Sequence, residues 1–305
     1  MSRPLQHGVG RIVGRRPAEK GITWLIALSG WVAITVLVTI AAFLVMNSMR
    51  AISEVGLVEM LTGKDWYPTS HNAKYGFLPS IVGSWWVTIV GLLLSVPLGV
   101  ATAVYLSEFA STRVRELGKS IIEFMAAIPS VVFGLMGMAL LVQPIRELFN
   151  LNTGLTGFTA GLVVGILCLP TIVSISEDAL HAVPADMRHG SSALGSSRWQ
   201  TTYRIVLPAA ASGIFAAIML GLGRAIGETM VVLILAGNAG VVASDPFVPM
   251  RTLTGTIAGE AGEVVRGGVH YSALFTMGLV LFMVTFVINL IADFVLERQR
   301  RIWSR

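Results

Sequence analysis

Residues 177–208 read EDALHAVPADMRHGSSALGSSRWQTTYRIVLP, a polar island between two long apolar runs. Each flanking run is long enough to cross a bilayer, so the island reads as a loop of a membrane protein and not as part of a soluble core. Its local signals predict two short helices hinged at a glycine. Pro184 suits the opening helical position, Asp186 complements the positive helix end, and Met187, Ser191 and Leu194 share one face at helical spacing. Gly195 allows the chain to turn. Beyond it Trp199, Tyr203 and Val206 recur at i, i+4 and i+7, and Pro208 is expected to close the element before the next apolar run. A hinged, half-apolar pair of helices on a membrane loop predicts a docking element for a partner.

Outward from the island the chain is apolar. Hydrophobic residues make up 54%, charged residues 13%, and mean hydropathy is +0.75. These values exclude a water-soluble domain of 305 residues. Spans need about 20 mainly apolar residues, and six stretches qualify: Ile22–Met46, Ile81–Leu106, Ser120–Val142, Phe158–Ile175, Ala209–Ala236 and Tyr271–Val295. The predicted fold is all-α, an integral membrane bundle of six transmembrane helices with a cytoplasmic coupling-helix loop. Its parts are a basic tail at 1–21, a first helix at 22–46, an outer segment at 47–80, a core of five helices at 81–295 containing the loop 177–208, and a second basic tail at 296–305. The first apolar run is much longer than the core of a signal peptide and is read as a retained span.

Lysine and arginine placement orients the spans. One side holds Arg3, Arg11, Arg15, Arg16, Lys20, Arg113, Arg115, Lys119, Arg188, Arg198, Arg204, Arg298, Arg300, Arg301 and Arg305. The other holds Arg50, Lys64, Lys74, Arg146, Arg251 and Arg266. Both termini and the island are therefore expected in the cytoplasm. The pI of about 9.7 follows from this flanking charge and implies membrane lipid, not nucleic acid, as the neighbour. The single cysteine, Cys168, lies in a span and excludes an intrachain disulfide.

Ionisable groups inside spans are rare and costly, on the order of 2.5–3.5 kcal/mol each, and are usually paired or facing a water-filled path. Pro97 and the Ile128-Pro129-Ser130 break interrupt two spans, and Glu123 lies one turn inside the third. The fifth span carries Arg224 and Glu228. Four residues apart on a helix they share a face, which permits a local ion pair. The same placement permits a path role, in which Arg224 offers a fork of donors to a tetrahedral oxyanion and Glu228 compensates its charge. The two readings are compatible.

The spacing of the island resembles the signature loop of the inner subunits of ABC importers. That loop runs Glu-Ala-Ala, three residues, Gly, nine residues, Ile, one residue, Leu-Pro. Here His189-Gly190-Ser191 stands at the first triplet, followed at matching spacing by Gly195, Ile205, Leu207 and Pro208. The resemblance assigns contact with a cytoplasmic ATPase to Arg188, His189, Gly190, Ser191, Leu194, Gly195, Ile205, Leu207 and Pro208. Two further runs, Gly223-Arg224-Ala225-Ile226-Gly227-Glu228-Thr229-Met230 and Glu123 to Val132, resemble the PstC-type permease subunits of phosphate importers. That likeness implies a PstA-type partner permease, a pair of PstB-type ATPase subunits carrying ATP and Mg, and a PstS-type phosphate-binding protein outside. No cofactor is then expected on this chain.

The five histidines, His7, His71, His181, His189 and His270, show no metal-ligand clustering within the spans. Gly190 to Gly195 has glycines at phosphate-loop spacing, but Ser196 and Ser197 stand where Lys and Ser or Thr are needed, so ATP hydrolysis by this chain is not expected. Import of sulfate, molybdate or phosphonate, and an ATPase-independent carrier or channel using Arg224 and Glu228, remain as alternative readings of the same residues.

Overall fold

The computed structural model describes the backbone of residues 17–303. The tail residues Arg3, Arg11, Arg15 and Arg16, and the side chains of Lys20, Arg298, Arg300, Arg301 and Arg305, lie outside what it describes.

The chain runs α1 (Pro17–Glu54), α2 (Leu57–Thr62), a two-stranded antiparallel hairpin of β1 (Trp66–Tyr67) and β2 (Lys74–Tyr75), then α3 (Leu78–Val104), α4 (Thr112–Ala127), α5 (Ser130–Leu140) and α6 (Val142–Leu148). It continues with α7 (Gly157–His181), α8 (Ala185–Ala193), α9 (Arg198–Thr201), α10 (Leu207–Gly227), α11 (Met230–Leu235), α12 (Leu253–Glu260) and α13 (Val269–Trp303). Among the described residues, five helical stretches are long and apolar enough to cross a membrane, and a sixth is reached only if α4 and α5 count as one span. Within the expected span Ser120–Val142 the break anticipated at Ile128-Pro129-Ser130 is present, and it is sharp: α4 and α5 meet at 94°. The physical reason is Pro129, which disfavours helical backbone at Ile128 (ψ 128°) and is itself extended (ψ 139°), so the ladder restarts only at Ser130.

α7 is the centre of the bundle, with 61% of its most apolar window buried against 0% for α1. It packs most extensively on α3 and α10. Small residues make the α3 contact possible. A Cβ on Gly165 would stand 2.8 Å from the Gly91 carbonyl oxygen, and one on Gly161 2.6 Å from Val90 Cβ. Such close backbone approach supplies dispersion contact where lipid removes any hydrophobic drive between helices.

The ends of the bundle differ. At one end α2, the hairpin, α12 and the start of α13 enclose Met60, Trp66, Phe77 and Leu253. Glu260 there accepts from Trp66 Nε1 (3.0 Å), pairs with His270 Nε2 (2.8 Å) and is bridged by Arg251. The glycine-rich stretch 237–268 contributes Met250, Leu253 and Thr256 to the buried interior, while Val241 and Val265 stay exposed. At the other end lies the island.

Candidate functional site

Two regions carry the residues singled out from the sequence. The first is the island. Helix α8 begins at Ala185, with Pro184 as its extended N-cap (ψ 137°) instead of its first helical residue. Gly195 takes a left-handed backbone (φ 80°), and the Ser196 amide reaches back to the Ser191 carbonyl (3.3 Å), closing α8. Ser197 and Gln200 then form a capping box that starts α9.

From Arg198 the helix does not stop at Pro208 as expected; it continues to Gly227. A π-turn over Thr202–Val206 absorbs the proline, with the Leu207 amide bonding the Thr202 carbonyl five residues back. This extra residue in the turn also splits the anticipated face: Val206 is fully buried while Trp199 (62%) and Tyr203 (64%) are exposed. The face expected on α8 divides likewise, since Ser191 is buried against the Thr201 hydroxyl (2.9 Å) while Leu194 stands in the open.

Arg188 faces the bundle. Its guanidinium donates to Glu108 (2.9 Å) and to the carbonyls of Leu180 (2.8 Å) and Val183 (2.5 Å). Glu108 belongs to a second π-turn, Tyr105–Phe109, that ends α3. Arg188 thus ties α8 to α3 and to the end of α7. His189, Gly190 and Leu194 are exposed, Gly195 forms the hinge, and Ile205, Leu207 and Pro208 belong to the following helix. Nearby, Lys119 of α4 pairs with the buried Glu177 of α7 (2.6 Å).

The second region is the far end of α10. Arg224 lies about 26 Å along α10 from Leu207 at 1.5 Å per residue. It is exposed, and its nearest hydrogen-bond partner is the Thr171 hydroxyl of α7 at 3.5 Å. The local ion pair anticipated with Glu228 does not form. Helix α10 ends at Gly227, Glu228 is extended (ψ 132°), and its carboxylate turns forward to accept from the amides of Thr229 (3.1 Å), Met230 (3.1 Å) and Val231 (3.4 Å). Glu228 therefore caps α11, and the shared helical face needed for the pair is lost. Thr254 at the start of α12 donates to the Glu228 carbonyl (2.7 Å), fixing the break from the other side.

The span expected at Ala209–Ala236 is therefore a long helix, a break and a half-helix. Irregular backbone at membrane depth is tolerated where protein or a water-lined cavity satisfies it. Thr171 and Thr254 carry no distinguishing signal in the sequence, because a threonine in an apolar run usually bonds its own helix.

The family profile described as "Binding-protein-dependent transport system inner membrane component" matches residues 95–301. The chain belongs to that family. It is thus a multi-pass membrane permease subunit of a transport system, and such subunits are not themselves catalytic. Among similar proteins, the probable ABC transporter permease YqgH of Bacillus subtilis is 36% identical over 90% of this chain and 88% of its own. A PstC phosphate transport system permease of Mesorhizobium japonicum is 35% identical over 85% of this chain and 84% of its own. A bacterial alginate ABC transporter solved with its periplasmic protein shares the fold, with a TM-score of 0.64 and 17% identity over 92% of this permease and 96% of that chain.

Proposed function

We propose that this permease forms half of the translocation path of an ATP-driven importer of inorganic phosphate. The observation that carries the reading is Arg224: a guanidinium at membrane depth, exposed, held by one long contact to Thr171 and facing no carboxylate partner among the described salt bridges. A fork of donors with open positions suits a tetrahedral oxyanion. The names of the PstC relatives support phosphate as the cargo.

In this reading a PstA-type permease completes the path, and the bare apolar flank of α1 supports such a partner. PstB-type subunits hydrolyse ATP with Mg inside, and a PstS-type protein delivers phosphate outside. The island faces the cytoplasm with both termini. Closure of the ATPase pair moves α8 and α9 through contacts at His189, Gly190, Leu194 and the Gly195 hinge, and Arg188 transmits the movement to α3 and α7. Such coupling requires the loop to make different contacts in the two states.

The test is uptake of labelled phosphate into liposomes holding this chain, the partner permease, the ATPase and the binding protein. Native uptake is expected to need ATP and to resist sulfate, and Arg224→Gln to lower it by about ten-fold or more while the complex still assembles. Uptake without ATP rejects the importer reading. Unchanged uptake in the variant places the path elsewhere.

A further inference from the structure

Beside α8, between its flank and the end of α3, lies a half-open cavity of about 490 Å3 whose α8 residues Ala185, His189 and Ser192 are exposed. Five basic side chains line it, Arg115, Arg188, Arg198, His181 and His189, against Glu108 as its one acid. Glu108 is taken by Arg188, and that pair is neutral overall. Arg115 donates to the carbonyls of Leu106 (2.8 Å) and Ser107 (2.6 Å), so it is held in place while its charge meets no carboxylate among the described salt bridges. Arg198 and the two imidazoles make no side-chain hydrogen bond among the described residues and have all their donors available.

The cavity is distinct from the membrane path around Arg224 and adjoins the docking face of α8, with His189 at the boundary of the two. Ala185, Arg188, His189 and Ser192 fall on one side of that helix by spacing, whereas Asp186, Met187 and Gly190 lie on others. Its walls come from five elements: the π-turn that ends α3, α4, the end of α7, α8 and α9.

We propose that this cavity is an oxyanion site whose ligand is a phosphate group, carried either by free inorganic phosphate or by the headgroup of an anionic lipid, and that its occupant fastens α8 to α9 and α4. Donors converging from several elements match an anion with several acceptor oxygens, and guanidinium is the side chain best suited to phosphate. Bound there, the group bridges the hinge at Gly195 and restrains the island relative to the bundle. The inference rests on the proposed importer only in taking this end to face the cytoplasm.

The experiment is hydrogen–deuterium exchange of peptides covering 181–206 in the assembled transporter. One arm uses nanodiscs of phosphatidylcholine with and without millimolar inorganic phosphate; the other compares phosphatidylglycerol with phosphatidylcholine in the absence of phosphate. Slower exchange is expected in at least one arm: the first identifies the free anion, the second the headgroup. Arg198→Gln is expected to raise the half-saturating concentration about ten-fold, with Arg198→Lys retaining most of the effect. Arg224→Gln is expected to leave the protection intact. No protection in either arm overturns the proposal, as does protection that survives undiminished in Arg198→Gln/His181→Gln or that vanishes in Arg224→Gln. Loss of uptake bears on the importer reading and leaves this measurement independent.

Discussion

At the scale of single residues, Arg188 and Glu228 have assignments that can be separated by substitution. Removing the Arg188 head leaves Glu108 and two carbonyls without their donor in a site where the two side chains are 25% and 11% exposed. Arg188→Met is expected to destabilise by about 2–3 kcal/mol, below the fully buried case because water reaches the pair. Arg188→Lys should recover little, since one ammonium cannot serve three groups spread over two elements. Thermal unfolding of the purified protein reads both. Glu228 acts on amides and not on Arg224, so a double-mutant cycle of Arg224→Gln with Glu228→Gln should give a coupling energy within about 0.5 kcal/mol. A coupling above about 1 kcal/mol would restore the ion pair. The sequence made both residues conspicuous, because charge inside an apolar span is conspicuous, but helical spacing alone paired them wrongly. A backbone break between positions 224 and 228 is what redirects the carboxylate.

At the scale of elements, glycines with opposite surroundings make opposed predictions. Gly165 faces the Gly91 carbonyl, which a methyl group would approach to 2.8 Å, so Gly165→Ala is expected to cost about 1–3 kcal/mol by forcing α3 and α7 apart. Gly190, inside α8, has nothing within 4 Å of its added methyl, so Gly190→Ala is expected to stabilise by about 0.5–1 kcal/mol through helix propensity. Denaturation of the two variants beside the native protein distinguishes the cases, and a loss of stability in Gly190→Ala would mean that α8 is held by contacts that the described chain does not contain. The π-turns at Tyr105–Phe109 and Thr202–Val206 belong to this scale as well. The first closes α3, with Ala110 extended after it (ψ 144°); the second lies within a continuing helix and shifts the side chains that follow it by one residue. Periodicity assumes 3.6 residues per turn throughout, so the face of Trp199, Tyr203 and Val206 could not be read correctly from spacing.

At the scale of the whole molecule, α1 is the least satisfied element. Its C-terminal end is tied to α13, where Ser272 donates to the Asn47 carbonyl (2.5 Å) and accepts from the Ala51 amide (2.9 Å), while Trp24 and Trp31 are 66% and 69% exposed. With a partner permease present, a cysteine at Trp31 is expected to cross-link to that partner and not to a second copy of this chain; cross-linking to a copy in the assembled transporter would point to a homodimer. The apolar stretches, the polar island, the hinge at Gly195 and the presence of charge within the span at Arg224 were determined by the sequence by itself, because hydropathy, the cost of charge among apolar residues and the cost of a positive φ are local and attach to residue type. Only the tertiary structure decided that Arg188 meets Glu108 across 80 positions, that Thr171 is the hydrogen-bond partner of Arg224, and that Thr254 fastens the Glu228 carbonyl at the break. Those outcomes depend on which helices lie side by side, and that is settled by close packing and by the need to pair every buried polar group, neither of which one segment can express alone.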